Sequence, residues 1–221
     1  MIPDASAATA AGLPDDWSVR LPAFLAREPD HAPEHWRLGG TGVRGLVREE
    51  WLQHPLQAAA VLVPIVARPV GAALLLTVRA DHLRRHAGQI SFPGGRSDDS
   101  DADLLATALR EAEEEIGLSR QCVQPIGYLG DHVVLTGFRI TPVVALVEPG
   151  YELRLAEEEV AGVFELPLAQ VLAADSFQRR TRLLRERTIE GFELSYQGHQ
   201  IWGATAGMLR HLRDVLLQAL A

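Results

Sequence analysis

The chain has 221 residues, 47% hydrophobic and 23% charged, a globular balance that excludes wholesale disorder. Its 29 acidic residues outnumber 21 basic ones, a formal net charge of -8. That sign is wrong for a non-specific nucleic-acid binder, so a polyanionic ligand would need a local positive site or a metal ion. All 21 basic residues are Arg, which rules out Schiff-base lysines and the lysine of a phosphate-binding P-loop.

In chain order, residues 1–55 read as an N-terminal extension rich in Pro, Gly and charge. Within it Met1–Pro14 reads as mobile. Trp17–Arg27 is expected as a short helix offering Val19, Leu21, Phe24 and Leu25 to a core, and Gly39–Gly45 reads as loop. Residues 56–221 are expected to form one domain. Ala58–Val66 and Gly71–Arg79 have strand-like length and composition, with Pro69 and Gly71 marking the turn between them. Asp81–Gly88 suits a short helical turn, and Ile90–Pro93 a short strand ending at Gly94-Gly95. The strongest helix is Leu104–Leu118. Val123–Leu129, Thr141–Val147 and Leu194–Trp202 are expected strands. Pro167–Ala173 reads as a short helix, and Thr205–Leu220 as a terminal helix with Met208, Leu209, Leu212, Val215, Leu216 and Ala219 at helical spacing. Strands flanking a central helix, with a second long helix at the end, predict an α/β class fold: a mixed sheet between helices.

The single cysteine, Cys122, allows no intrachain disulfide and suits a reducing compartment; at the start of a strand-like stretch it reads as a half-buried structural residue. The start of the chain lacks the basic region and long apolar core of a secretory signal, and no apolar run reaches the roughly 20 residues that span a bilayer. A cytoplasmic protein without membrane attachment is expected.

The helix Leu104–Leu118 carries the chemistry. Leu105, Leu109, Ala112 and Ile116 form one apolar face. Glu111, Glu114 and Glu115, at i, i+3 and i+4, fall together on another, with Arg110 at its flank. Three neighbouring carboxylates repel each other, and the macrodipole disfavours negative charge near the helix C-terminus. Such a face is either a solvated acidic surface or an all-oxygen site for a hard divalent cation. The glycine pair just upstream, where backbone turns sharply and approaches another group closely, favours the second reading.

From Gly95 to Leu118 the sequence resembles the Nudix signature, G-x5-E-x7-R-E-U-x-E-E-x-G-U with U aliphatic. Arg110–Leu118 matches at each fixed position if Ala112 counts as the small aliphatic residue. Asp101 stands at the first Glu position, one residue further from Arg110 than the pattern has it. Upstream, Leu75-Leu76-Thr77-Val78-Arg79, Arg84, Gly88 and Phe92-Pro93-Gly94-Gly95 are similar to the additional motif of Nudix coenzyme A pyrophosphatases. Thr141–Val144, Phe164–Leu168 and Ile201–Thr205 fit that branch as well.

The resemblance implies a Nudix-type α/β/α sandwich and Mg2+- or Mn2+-dependent hydrolysis of coenzyme A or its derivatives to 3',5'-ADP and 4'-phosphopantetheine. It implies Glu111, Glu114 and Glu115 as metal ligands, Glu111 also acting on water, and Arg110 orienting the carboxylates. A general base from a later loop is expected among Glu157, Glu158 and Glu159, Glu159 first; His86 and His132 are alternatives. Arg79 and Arg84, ahead of Arg85, are expected to bind the 3'-phosphate, with Gly94 and Gly95 lining the substrate site. The partner is a small nucleotide, with no nucleic acid and no membrane, and a homodimer is an open assembly. Two other readings stay open: a Nudix hydrolase of ADP-ribose, a dinucleotide or a nucleoside triphosphate, and a non-catalytic nucleotide sensor.

Overall fold

The computed structural model describes residues 13–40, 55–68, 71–83, 86–184 and 187–221. Residues 1–12 of the expected mobile stretch Met1–Pro14, residues 41–45 of the expected loop, Pro69 of the expected turn, and Arg84 and Arg85 lie outside the described residues, while Leu13 packs against the core instead of standing free.

A nine-stranded mixed sheet forms the centre. Its main path runs β1 (Arg37–Leu38), β7 (His132–Val133), β8 (Phe138–Val147), β2 (Gln57–Arg68), β3 (Gly71–Arg79), β4 (Ile90–Ser91). Branching from it, β5 (Gly94–Arg96) pairs with β2, β6 (Val123–Tyr128) with β8, and β9 (Val160–Pro167) with β3. β2 and β8 run parallel over ten registered pairs, Gln57↔Phe138 to Val66↔Val147, while β3, β5, β6 and β9 pair antiparallel.

The central strands are apolar on both faces because both faces are covered. On β2, Val61, Val63 and Ile65 enter one core layer and Ala60, Leu62 and Val66 the other; on β3, Leu74 and Leu76 oppose Leu75 in the same way. The first layer is closed by α4 (Gly203–Leu220), through Met208, Leu209, Leu212 and Leu216, and by α3 (Leu168–Leu172). The second is closed by α2 (Leu104–Ile116), through Ala108, Ala112 and Ile116. This is the expected helix–sheet–helix sandwich. At about 25 cal/mol per Å2 of apolar surface, each fully buried Leu contributes roughly 1.5–3 kcal/mol.

Residues 17–38 pack into the first layer. The expected helix is only one turn long, α1 (Trp17–Arg20), and continues as a 3-10 turn over Leu21–Phe24, where Pro22 supplies no N–H. Trp17, Leu21 and Leu25 are buried, whereas Val19 and Phe24, expected inside, are exposed. Further on, His31 Nδ1 lies 2.7 Å from the fully buried Asp131 carboxylate, which Thr141 Oγ1 also meets at 2.5 Å.

The expected strand Leu194–Trp202 is two strands. β11 (Arg187–Tyr196) turns at Gln197 and Gly198, both at positive φ, into β12 (His199–Ile201); paired positive φ values suit a tight hairpin turn. β10 (Phe177–Leu184) pairs antiparallel with β11 in this second, three-stranded sheet. β10 escapes sequence reading because Gln178, Arg179, Arg180 and Thr181 are consecutive exposed polar residues that leave no apolar alternation. The described part of Asp81–Gly88 forms turns with no helix. Among the described residues no helix is long and apolar enough to cross a membrane.

Candidate active site

α2 begins at Asp103, whose side chain accepts the Ala106 N–H at 2.7 Å. It ends at Gly117, in the left-handed conformation at φ 68°, where a Cβ would meet the Arg154 nitrogen at 2.8 Å. These two stops set the phase of the helix. Its apolar side docks on β2 and leaves Glu111 and Glu115 facing β5.

The Phe92–Gly95 stretch lies against that face. Phe92 is buried in the first core layer, and Gly94–Arg96 continue as β5 instead of a terminal turn. Gly94 sits at φ 150°, and a Cβ there would overlap the Ala60 carbonyl oxygen and Val61. A Cβ on Gly95 would stand 2.5–2.7 Å from the three atoms of the Glu111 carboxyl group. Gly94 N–H donates to Glu115 Oε2 at 3.0 Å. The glycine pair therefore gives both carboxylates room against the sheet.

Arg110 is saturated. Its Nε and Nη2 donate to the two oxygens of Asp101, each at 2.9 Å. Nη1 donates to Glu111 and Glu114, again at 2.9 Å, and Nη2 also reaches the Arg96 carbonyl at 3.2 Å. All five guanidinium N–H groups have acceptors. Asp101, nearly buried, also accepts from Thr107 Oγ1 and the Asp98 N–H, both at 2.9 Å. These bonds hold its carboxyl well below the usual range, Arg110 contributing most. Asp101, where the signature has Glu, is thus the clamp on the arginine. Sequence alone showed only the substitution and the shifted spacing.

Burial separates the three glutamates: the Glu115 side chain is 4% exposed, Glu111 17% and Glu114 59%. Desolvation pushes Glu115 up to about 7, against the Gly94 N–H and Arg79, with Glu111 and Glu159 adding like charge. Glu111 is raised mainly by desolvation, opposed by Arg110 and reinforced by Glu114 and Glu159. Glu159 acts on both, so the loop before β9 brings this glutamate toward the cluster. Its backbone is anchored by a bond from Ala80 N–H to the Glu159 carbonyl at 2.8 Å.

The remaining predicted residues fall elsewhere. His86 is engaged with Gln89 at 2.8 Å. His132, an alternative base by sequence, is fully buried beside His211 in the first layer and has no access to the carboxylates. Its place on β7, packed under α4, is a tertiary fact that local sequence does not encode. Cys122 is half-buried and free of any disulfide, as expected. Arg79 reaches Glu115, with Nη1 3.8 Å from Oε1.

The donor set is all carboxylate oxygen, which suits Mg2+ or Mn2+. Two carboxylates whose proton affinity is raised chiefly by desolvation are also the electrostatic situation a divalent ion relieves. Among the described residues no three of these groups already converge on one point.

A helix–sheet–helix sandwich presenting such a carboxylate row beneath a glycine strand has the make-up of a hydrolase acting on phosphoanhydrides. The profile of the NUDIX domain family matches residues 56–186. Proteins named uncharacterized Nudix hydrolase NudL, from Escherichia coli O1:K1 / APEC and from Shigella boydii serotype 18, are 44% identical over 170 residues, covering 77% of this chain and 87% of theirs. A crystal structure of a Nudix hydrolase from M. smegmatis, RenU, shares the fold with a TM-score of 0.50 at 21% identity, covering 73% of this chain and 86% of that one. The chain belongs to the Nudix hydrolase family and is a pyrophosphohydrolase. Enzymes of this family generally use divalent metals and act on nucleoside diphosphate compounds.

Proposed function

We propose that the protein hydrolyses the pyrophosphate bond of coenzyme A or its derivatives, releasing 3',5'-ADP and 4'-phosphopantetheine or its acylated form. The observation that carries this reading is the contact between the two motifs. Arg79, from the coenzyme A-type motif, lies against Glu115 of the Nudix helix, and Gly94 of the same motif binds the Glu115 carboxylate. One motif thus reads substrate where the other performs chemistry.

Glu111, Glu114 and Glu115 would hold Mg2+ or Mn2+, which neutralises pyrophosphate charge and lowers the pKa of water. Arg110, clamped by Asp101, aligns Glu111 and Glu114. Gly94 and Gly95 keep the wall open beside the carboxylates. Glu159 takes the proton from the attacking water; its electrostatic reach to both Glu111 and Glu115 supports this role. The position of Arg79 favours the pyrophosphate end of the substrate over the 3'-phosphate, for which Arg84 remains the candidate. Residues 56–221 form the catalytic unit, which residues 17–38 brace, and the activity belongs to the reducing cytoplasm.

Product analysis tests this reading. With Mg2+ or Mn2+, coenzyme A should yield 3',5'-ADP, while ADP-ribose and NADH are cleaved much more slowly. Faster cleavage of ADP-ribose or NADH would move the protein to another nucleoside diphosphate substrate, and no cleavage of any would favour the sensor reading.

A further inference from the structure

Among the described residues two arginines contact the acidic cluster, and they differ in one respect. Arg110 has every N–H bonded. Among the described residues Arg79 is under-bonded: its Nη1 is 3.8 Å from Glu115 Oε1, beyond hydrogen-bond length, and its buried Nε has no partner there. Strand alternation explains how it arrives there. On β3, Leu75 points into the α2 layer, and Arg79 shares its parity. The pairing of β3 with β9 shifts register between Val78 and Arg79, at the rim of the carboxylates. A partly exposed cation with one buried, unused donor is incompletely satisfied and free to exchange partners.

We propose that Arg79 is the resident counter-cation of Glu115: it neutralises the carboxylate until a divalent ion displaces it, and the freed guanidinium then turns to the substrate's phosphates. The proposal rests on the carboxylate cluster being the metal site, and it does not require coenzyme A to be the substrate. Neutralising Glu115 from within the protein opposes an entering cation, so removing the Arg79 charge should tighten metal binding. A merely structural arginine would do the reverse, because its loss disorders the ligands.

The test is Mn2+ binding to the full-length protein without substrate, followed by electron paramagnetic resonance at pH 8.5 and low ionic strength. Arg79→Gln should bind Mn2+ at least about tenfold more tightly than wild type, the lower bound expected for one unit charge about 6 Å from a divalent ion under near-aqueous screening. Arg79→Lys, which keeps the charge, should stay near wild type. Turnover of coenzyme A and dephospho-coenzyme A should fall by the same factor in Arg79→Gln. Unchanged or weaker Mn2+ binding in folded Arg79→Gln overturns the proposal, as does a loss confined to coenzyme A, which would make Arg79 the 3'-phosphate receptor. Should Arg79→Gln not fold, Arg79→Met carries the same comparison. If coenzyme A is not turned over, the substrate reading fails and the Mn2+ measurement decides this proposal alone.

Discussion

Gly95 and Glu111 are matched as absence and presence: the space a Cβ would take on β5 is filled by the Glu111 carboxyl group, 2.5–2.7 Å from that point. The backbone of Gly95 pairs with Ala60 in a regular antiparallel ladder. Its glycine is therefore demanded by the carboxylate. Gly95→Ala should lower kcat at least tenfold while shifting Tm by only a few degrees. A wild-type rate would mean that Glu111 does not work from this position.

The Asp101–Arg110 pair makes a second prediction. Asp101→Asn keeps the shape but loses the charge that holds two guanidinium bonds, and it should cost about 2 kcal/mol in urea denaturation at pH 7. Turnover should fall too, because Arg110 positions Glu111 and Glu114. The folded carboxyl is depressed, so its stabilisation is complete above the unfolded value near pH 4 and is lost as pH falls toward the folded one. The difference between wild type and variant should therefore shrink in strong acid.

Chelation by EDTA should abolish activity, and Mg2+ or Mn2+ should restore it. Glu115→Gln should remain inactive with metal, yet be more stable than wild type without it. Its buried carboxyl has a folded pKa raised to about 7, so ionisation destabilises the folded state increasingly as pH rises from about 4.5, and the cost is complete above about 7. Removing that charge should add about 1–3 kcal/mol at pH 8 in EDTA. A destabilised, metal-free Glu115→Gln would assign the residue a structural role.

Glu159 separates proton transfer from metal holding. Glu159→Gln should cut kcat by about 100-fold with Mn2+ affinity changed less than about threefold. An unaltered rate would return the base to Glu111, Glu157 or Glu158.

His132 is buried, and desolvation, helped by His211 and Arg37, drives its pKa well below 6.5. The unfolded chain binds a proton at this residue below about pH 6.5 and the folded chain does not. Stability should fall with pH by up to about 1.4 kcal/mol per unit below that point. His132→Gln should flatten the slope between pH 6.5 and 5; equal slopes would show that this histidine takes up its proton in the folded protein as well.

The chain's local patterns carried the sandwich and the chemistry of α2. Periodicity marked the helix, expected over residues 104–118 and ending at Ile116, β-rich runs marked β2 and β3, and the spacing of Arg110, Glu111, Glu114 and Glu115 is a property of any helix with 3.6 residues per turn. Tertiary structure decided what such spacing leaves open. Helical phase groups the three glutamates alike, but docking against β5 buries Glu115 and exposes Glu114, and that burial raises the proton affinity of Glu115. Likewise, Arg79 meets Glu115 and His132 is enclosed under α4 because strands distant in sequence pair side by side, while Asp101 clamps Arg110 because the loop before α2 folds back onto the helix. Those contacts depend on register and packing across the sheet, which are fixed only when the whole core assembles.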